Sequence, residues 1–193
     1  MTETSPAATV TRRVGGTELP IPGRWEIDPG HTEVAFIGRH FMLTKVRGRF
    51  TGVSGVIEVA EEPGASTVEV TIDMASVESG SQARDDHLRS QDFFDAAAHP
   101  TATFSGHAAD WQGTRGLLTG KLTIRGVSRP VTLATEYLGH AADPWGGQRA
   151  VFTAEGTLNR EDWGLTWNQV LDGGLLVSTQ IRIEIELETV LQP

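Results

Sequence analysis

Over its last segment the chain alternates with a period of two. Val177, Thr179, Ile181, Ile183, Ile185 and Leu187 share one parity, while Ser178, Gln180, Arg182, Glu184 and Glu186 share the other. Successive side chains on a β-strand point to opposite faces, so this spacing builds one apolar and one hydrated face, which a helix of period 3.6 cannot do. The pattern recurs where Val68, Val70, Ile72 and Met74 alternate with Thr67, Glu69, Thr71 and Asp73, and where Leu118, Gly120, Leu122 and Ile124 alternate with Thr119, Lys121, Thr123 and Arg125. Followed along the chain, it predicts eight half-solvated strands: Arg24 to Arg39, Val46 to Val59, Ser66 to Met74, Thr101 to Trp111, Gly116 to Arg125, Val131 to Gly139, Arg149 to Leu158, and Leu175 to Val190. Gly, Pro, Asn and Asp punctuate most of the gaps, as turns require.

Only Ser81 to Ala98 reads as helix, with Ser81 and Ser90 placed to cap two short turns and Pro100 to end them. One such insertion is too small to cover eight apolar faces, so the sheet must close on itself or split into a sandwich. Closure removes exposed edges, and eight strands make a barrel that either fills with side chains or holds one small ligand. The expected fold is therefore all-β: an eight-stranded antiparallel barrel with one short helical insertion, spanning residues 23–193. Residues 1–22 are rich in Thr, Pro and Gly without periodicity and read as a flexible N-terminal arm.

Composition excludes several functions. Among 193 residues, 25 Asp and Glu outweigh 16 Lys and Arg, and the net charge of −9 repels phosphate backbones, so a nucleic-acid role lacks its electrostatic footprint. The absence of cysteine removes disulfides, thiolate nucleophiles and Cys-ligated metals. No apolar run reaches the roughly 18 residues of a transmembrane helix. The apolar patch Ala7 to Val10 precedes Arg12 and Arg13, the reverse of a secretory signal, so the sequence reads as cytoplasmic.

The inward parity also carries small residues: Gly38, Gly120, Gly156, Ala102, Ala108, Ala150 and Ala154. Either they leave the lumen incompletely filled, or they relieve barrel curvature while neighbouring aromatics take up the gaps. A tilted barrel of ten-residue strands is about 25 Å deep, a depth that suits a long chain. Burying an alkyl or isoprenoid tail there gains about 0.8 kcal/mol per CH₂ before ordering costs.

Several segments resemble a known family. They are Asp28-Pro29-Gly30-His31-Thr32, Arg39-His40, Val46-Arg47-Gly48-Arg49-Phe50, Arg84 to Ser90, Asp92-Phe93-Phe94-Asp95, Gly120 to Val127, Pro130-Val131, and Asn159-Arg160 with Asp162-Trp163-Gly164. In this order they resemble the YceI family of lipocalin-like, polyisoprenoid-binding proteins. The resemblance implies an elongated barrel whose apolar lumen holds a polyprenyl compound, an isoprenoid quinone or a fatty amide. It also implies carriers or stores instead of enzymes, frequent homodimers, and a periplasmic location in many members, from which the N-terminus here departs.

The candidate ligand-binding residues are Phe36, His40, Phe50, Phe93, Phe94, Phe104 and Trp163. His40 falls on the Val34, Phe36, Gly38 parity, where it is either a polar group at one mouth of the tube or a structural histidine beside Arg39. Arg84 is the second head-group candidate; within Arg84-Asp85-Asp86-His87-Leu88-Arg89, however, the charges also suit helix caps and bridges to adjacent loops. No catalytic or metal site assembles. His31-Thr32-Glu33 lacks the Cys pair of a zinc deaminase, Ser54 lacks the nucleophile-elbow frame, and no histidine pair has metal-protease spacing. The sequence thus predicts a non-catalytic protein that binds, stores or transports a long-chain isoprenoid lipid, with no other cofactor. The rivals are a lipid isomerase or hydrolase using a luminal histidine, and a ligand-free stress or scaffold barrel.

Overall fold

The structure is a computed structural model describing residues 11–171 and 174–193. The chain opens with a hairpin of β1 (Thr11–Val14) and β2 (Thr17–Pro20). It continues through β3 (Gly23–Ile27), β4 (Glu33–His40), β5 (Thr44–Phe50), β6 (Val53–Val59), β7 (Thr67–Asp73) and β8 (Val77–Glu78) to α1 (Gln82–Arg89), the one α-helix among the described residues. The long strands β9 (Thr101–Gln112), β10 (Arg115–Ile124), β11 (Val127–Ala142) and β12 (Gln148–Asn159) follow. A small pair, β13 (Val170–Leu171) and β14 (Gly174–Leu175), precedes the final strand β15 (Gln180–Leu191).

β15 is the seam. One edge pairs with β4, Ile185 opposite Val34, and then with β3, Val190 opposite Glu26; the other pairs with β12, Ala154 opposite Ile185. From β12 the ladder runs through β11, β10, β9, β7 and β6 back to β3, every pair antiparallel. With β3/β4 and β5/β6 each counted as one bent strand, the result is the expected closed eight-stranded barrel with one short helix.

The bends break two strands that the alternation had made continuous. Between β3 and β4, Pro29 has no N–H for a ladder and the Asp28 carboxylate accepts from Gly30 N at 2.9 Å, so residues 29–31 wind into one 3₁₀ turn. β11 in turn runs further than its apolar stripe suggested, because Pro130 lies upstream of Ala134, where pairing with β12 begins, and an edge tolerates proline. The helix is shorter than expected. Ser81 sits at its N-cap without a side-chain capping bond, and after Arg89 the Ser90 hydroxyl instead closes a turn on His87 O at 2.7 Å.

Over residues 11–20 the reading as an arm is corrected. Gly15 and Gly16, with φ of +55° and +86°, make the two-residue turn of a tight hairpin, and Leu19 is buried with Trp25, Tyr137 and Ala150. Arg12 fastens the hairpin by donating to Ala60 O and Glu61 O. Strands of four residues are too short to register as alternation, although Gly-Gly between Val14 and Thr17 is a turn signal. Residues 1–10 lie outside the described residues.

At the opposite end, β5 pairs beyond β4, among the described residues, only with β8, through Arg49 and Phe50. The segment from α1 to Pro100 covers this end. Arg89 ties it to the wall by donating to Ala75 O at 2.9 Å and Val77 O at 2.8 Å, and Phe94 enters the core.

Candidate ligand-binding lumen

The inward faces of the strands enclose a cavity of about 470 Å³. Arg12, Leu19 and Trp111 line it towards the hairpin, His87, Phe93 and Trp167 towards the helix, and the stripes Val68–Val70–Ile72 and Ile181–Ile183–Ile185 lie between. The face assignment read from the alternation holds for both stripes.

Both readings of the small residues are realised. Phe36 is the direct cross-strand partner of Gly48, and a Cβ at Gly48 would lie 2.2 Å from the Phe36 Cζ. Phe104 rests in the same way on Gly106 and Gly120, where a Cβ would approach its ring within 2.6 and 2.7 Å. The glycines therefore let aromatic rings lean into the wall, and the bore stays open beside them. Ala150 departs from the expectation, being buried in the hairpin-side cluster.

Phe36, His40, Phe50, Phe93, Phe94, Phe104, Trp163 and Arg84 all border the cavity. Phe36, Phe50 and Phe94 form one aromatic cluster, with centroids 5.4 to 6.3 Å apart. Phe93, His87 and Trp167 form a second, at 4.5 to 5.3 Å. Trp163 is held by donation from Nε1 to Leu122 O at 3.1 Å. His40 is half-buried and bridges to Val177 at the strand end. Arg84 gives Nε to Ser79 Oγ and Nη2 to Ser79 O, both at 2.7 Å, so it fixes the start of the insertion.

The sequence reading missed Arg160. It stands in the Asn159-Arg160 pair quoted for the resemblance, where the only signal was a charge in a loop. In the folded chain it is 5% exposed and borders the cavity, with its Cζ 5.9 Å from the Phe93 ring centroid. Nε donates to Ser178 O at 3.0 Å and Nη1 to Leu165 O, while Nη2 is buried without a partner among the described residues. Burial holds its pKa below the usual arginine value.

Outside the lumen several charges form networks. Arg149 bridges Asp28, Glu188 and Asp143, and its hydrogen bond lowers the Asp28 pKa to about 2. Ligand atoms of Asp28, His31 and Glu188 lie within 4.8 Å of one another, but the Arg149 guanidinium already bonds both carboxylates. On the outer wall Arg47 joins Glu33 to Glu184 and holds the Glu33 carboxyl below its ordinary pKa.

A closed eight-stranded antiparallel barrel around an apolar bore is a lipocalin-like architecture. The sequence profile of the YceI-like domain matches residues 25–189, and the chain belongs to that family. It is 39% identical over 136 residues to the protein YceI of Escherichia coli O157:H7, covering 70% of this chain and 71% of that one. The crystal structure of Burkholderia cenocepacia BcnA superposes with a TM-score of 0.73 at 24% identity, covering 84% of this chain and 98% of BcnA. A polyisoprenoid-binding domain from Saccharophagus degradans, implicated in plant cell wall breakdown, shares the fold with a TM-score of 0.65 at 17% identity, covering 89% of this chain and all of that domain.

Proposed function

We propose that the protein is a non-catalytic carrier or store that encloses a long-chain lipid, an isoprenoid or a similar amphiphile, inside the barrel. The observation that carries this reading is the cavity of about 470 Å³, walled by Val, Ile, Leu and Phe side chains along the barrel. That volume falls within the range of roughly 300–1,000 Å³ typical of small-molecule sites. Removing a tail's CH₂ groups from water supplies the affinity, and the elongated shape selects a chain over a compact metabolite. The family and the polyisoprenoid-binding neighbour support the same ligand class.

The experiment is to purify the protein from its host, extract it into organic solvent and identify bound lipid by mass spectrometry, then add isoprenoid quinone and polyprenyl phosphate to the stripped protein. A co-purifying or added long-chain lipid bound at unit stoichiometry is expected. A protein that carries no lipid and takes up none overturns the proposal.

A further inference from the structure

Arg160 is a buried guanidinium at the helix-side end of the cavity; among the described residues Arg39 and Arg84 border the same cavity without a carboxylate partner too, but both are exposed to solvent. Arg47, Arg49, Arg149 and Arg182 each face a carboxylate, whereas among the described residues no carboxylate pairs with Arg160. Its two bonded nitrogens meet neutral carbonyls, of Ser178 and Leu165, and these hold the group in place without cancelling its charge. Among the described residues Nη2 has no partner, and apolar groups surround it: Phe93 beneath the guanidinium, with Leu165, Trp163 and Trp167 on the same stretch of wall. A buried charge is strongly disfavoured unless an opposite charge meets it, and guanidinium donors match the oxygens of a carboxylate or phosphate.

We propose that Arg160 is the head-group site of the lumen and that the guest is an anionic amphiphile, whose tail lies along the bore while a carboxylate or phosphate oxygen accepts from Nη2. This deepens the lipid-binding reading and rests on it. Charge-assisted hydrogen bonds in such a setting discriminate by about tenfold or more against a neutral head of the same chain.

The test compares two matched pairs near neutral pH, farnesyl phosphate with farnesol and laurate with dodecanol, by displacement of the neutral dye N-phenyl-1-naphthylamine from the full chain. The wild-type protein is expected to favour at least one anion over its alcohol by about tenfold or more, and the favoured pair identifies the head as phosphate or carboxylate. In Arg160→Gln the preference disappears while alcohol binding persists; in Arg160→Lys, which keeps the charge, part of it survives. Equal wild-type affinity for anion and alcohol overturns the assignment, a comparison that needs no variant to fold. So does a preference that survives Arg160→Gln or is lost in Arg84→Gln instead. If no member of either pair displaces the dye or binds by calorimetry, the lipid-binding reading itself falls, a result distinct from binding without head-group preference.

Discussion

The distal edge of the Phe36 ring rests on Gly48, its cross-strand partner, in the space that any Cβ at position 48 would occupy. Gly48→Ala therefore pushes the ring off the wall and into the bore. A stability loss of about 1–3 kcal/mol by thermal denaturation is expected, typical of overpacking. Titration with a long-chain lipid should show weakened binding. Unchanged affinity would place the tail away from Phe36.

The two faces of a strand should respond oppositely to charge. Ile183 and Val70 border the cavity, so Ile183→Arg or Val70→Arg buries an unpaired guanidinium and should unfold the domain, visible as lost far-ultraviolet strand signal or a collapsed melting temperature. Thr71→Ala on the outer face should cost under about 1 kcal/mol, as should Arg182→Ala, which loses solvent-exposed pairs with Glu155 and Glu184. Equal tolerance at both sets contradicts the inward assignment.

Acid stability follows from Asp28. Its folded pKa, lowered to about 2 by the Arg149 hydrogen bond, lies below the usual 3.8, so the folded state favours the carboxylate. The resulting stabilisation, roughly 1–2 kcal/mol, is complete above about pH 5 and drains away as pH falls through 4 towards 2. Arg149→Gln should lower stability at neutral pH and flatten this acid limb. Denaturant titrations at stepped pH read both, and a limb of unchanged slope assigns acid sensitivity to other carboxylates.

The N-terminal hairpin predicts a local effect. Leu19 is buried against Trp25 and Tyr137, so Leu19→Ala should cost about 2–4 kcal/mol if the hairpin unfolds with the barrel. Hydrogen exchange distinguishes this from separate opening: amides of residues 11–20 that exchange faster in the variant, with those of β12 unchanged, mark the hairpin as an independently detaching unit.

Much of the barrel was legible from parity alone. Val68, Val70 and Ile72 needed no partner to declare their face, and eight apolar faces with one helix left closure as the solution. The breaks at Pro29 and Thr51-Gly52 were passed over although the inward parity flips across each, from Ile27 to Val34 and from Phe50 to Val53. The hairpin escaped because four residues per strand are too few for a period. Phe36, Phe50 and Phe104 could be placed because each lies on an inward parity, and Phe93 and Phe94 because they lie in the insertion. Arg160 could not: beyond the nearby Leu165 carbonyl, its burial is set by the Ser178 carbonyl and by the Phe93 ring from a distant segment, neither of which a local window contains.

The position of β15 as the seam has a consequence for biogenesis. Residues 180–191 bond to β3 and β4 from the start of the barrel and to β12 near its end, so no watertight tube exists while they remain inside the ribosome. Until then the inner stripes of the other strands face solvent or a chaperone. Enclosure of the bore thereby waits for residues 180–191, and closing so distant a ladder sets a slow step in folding.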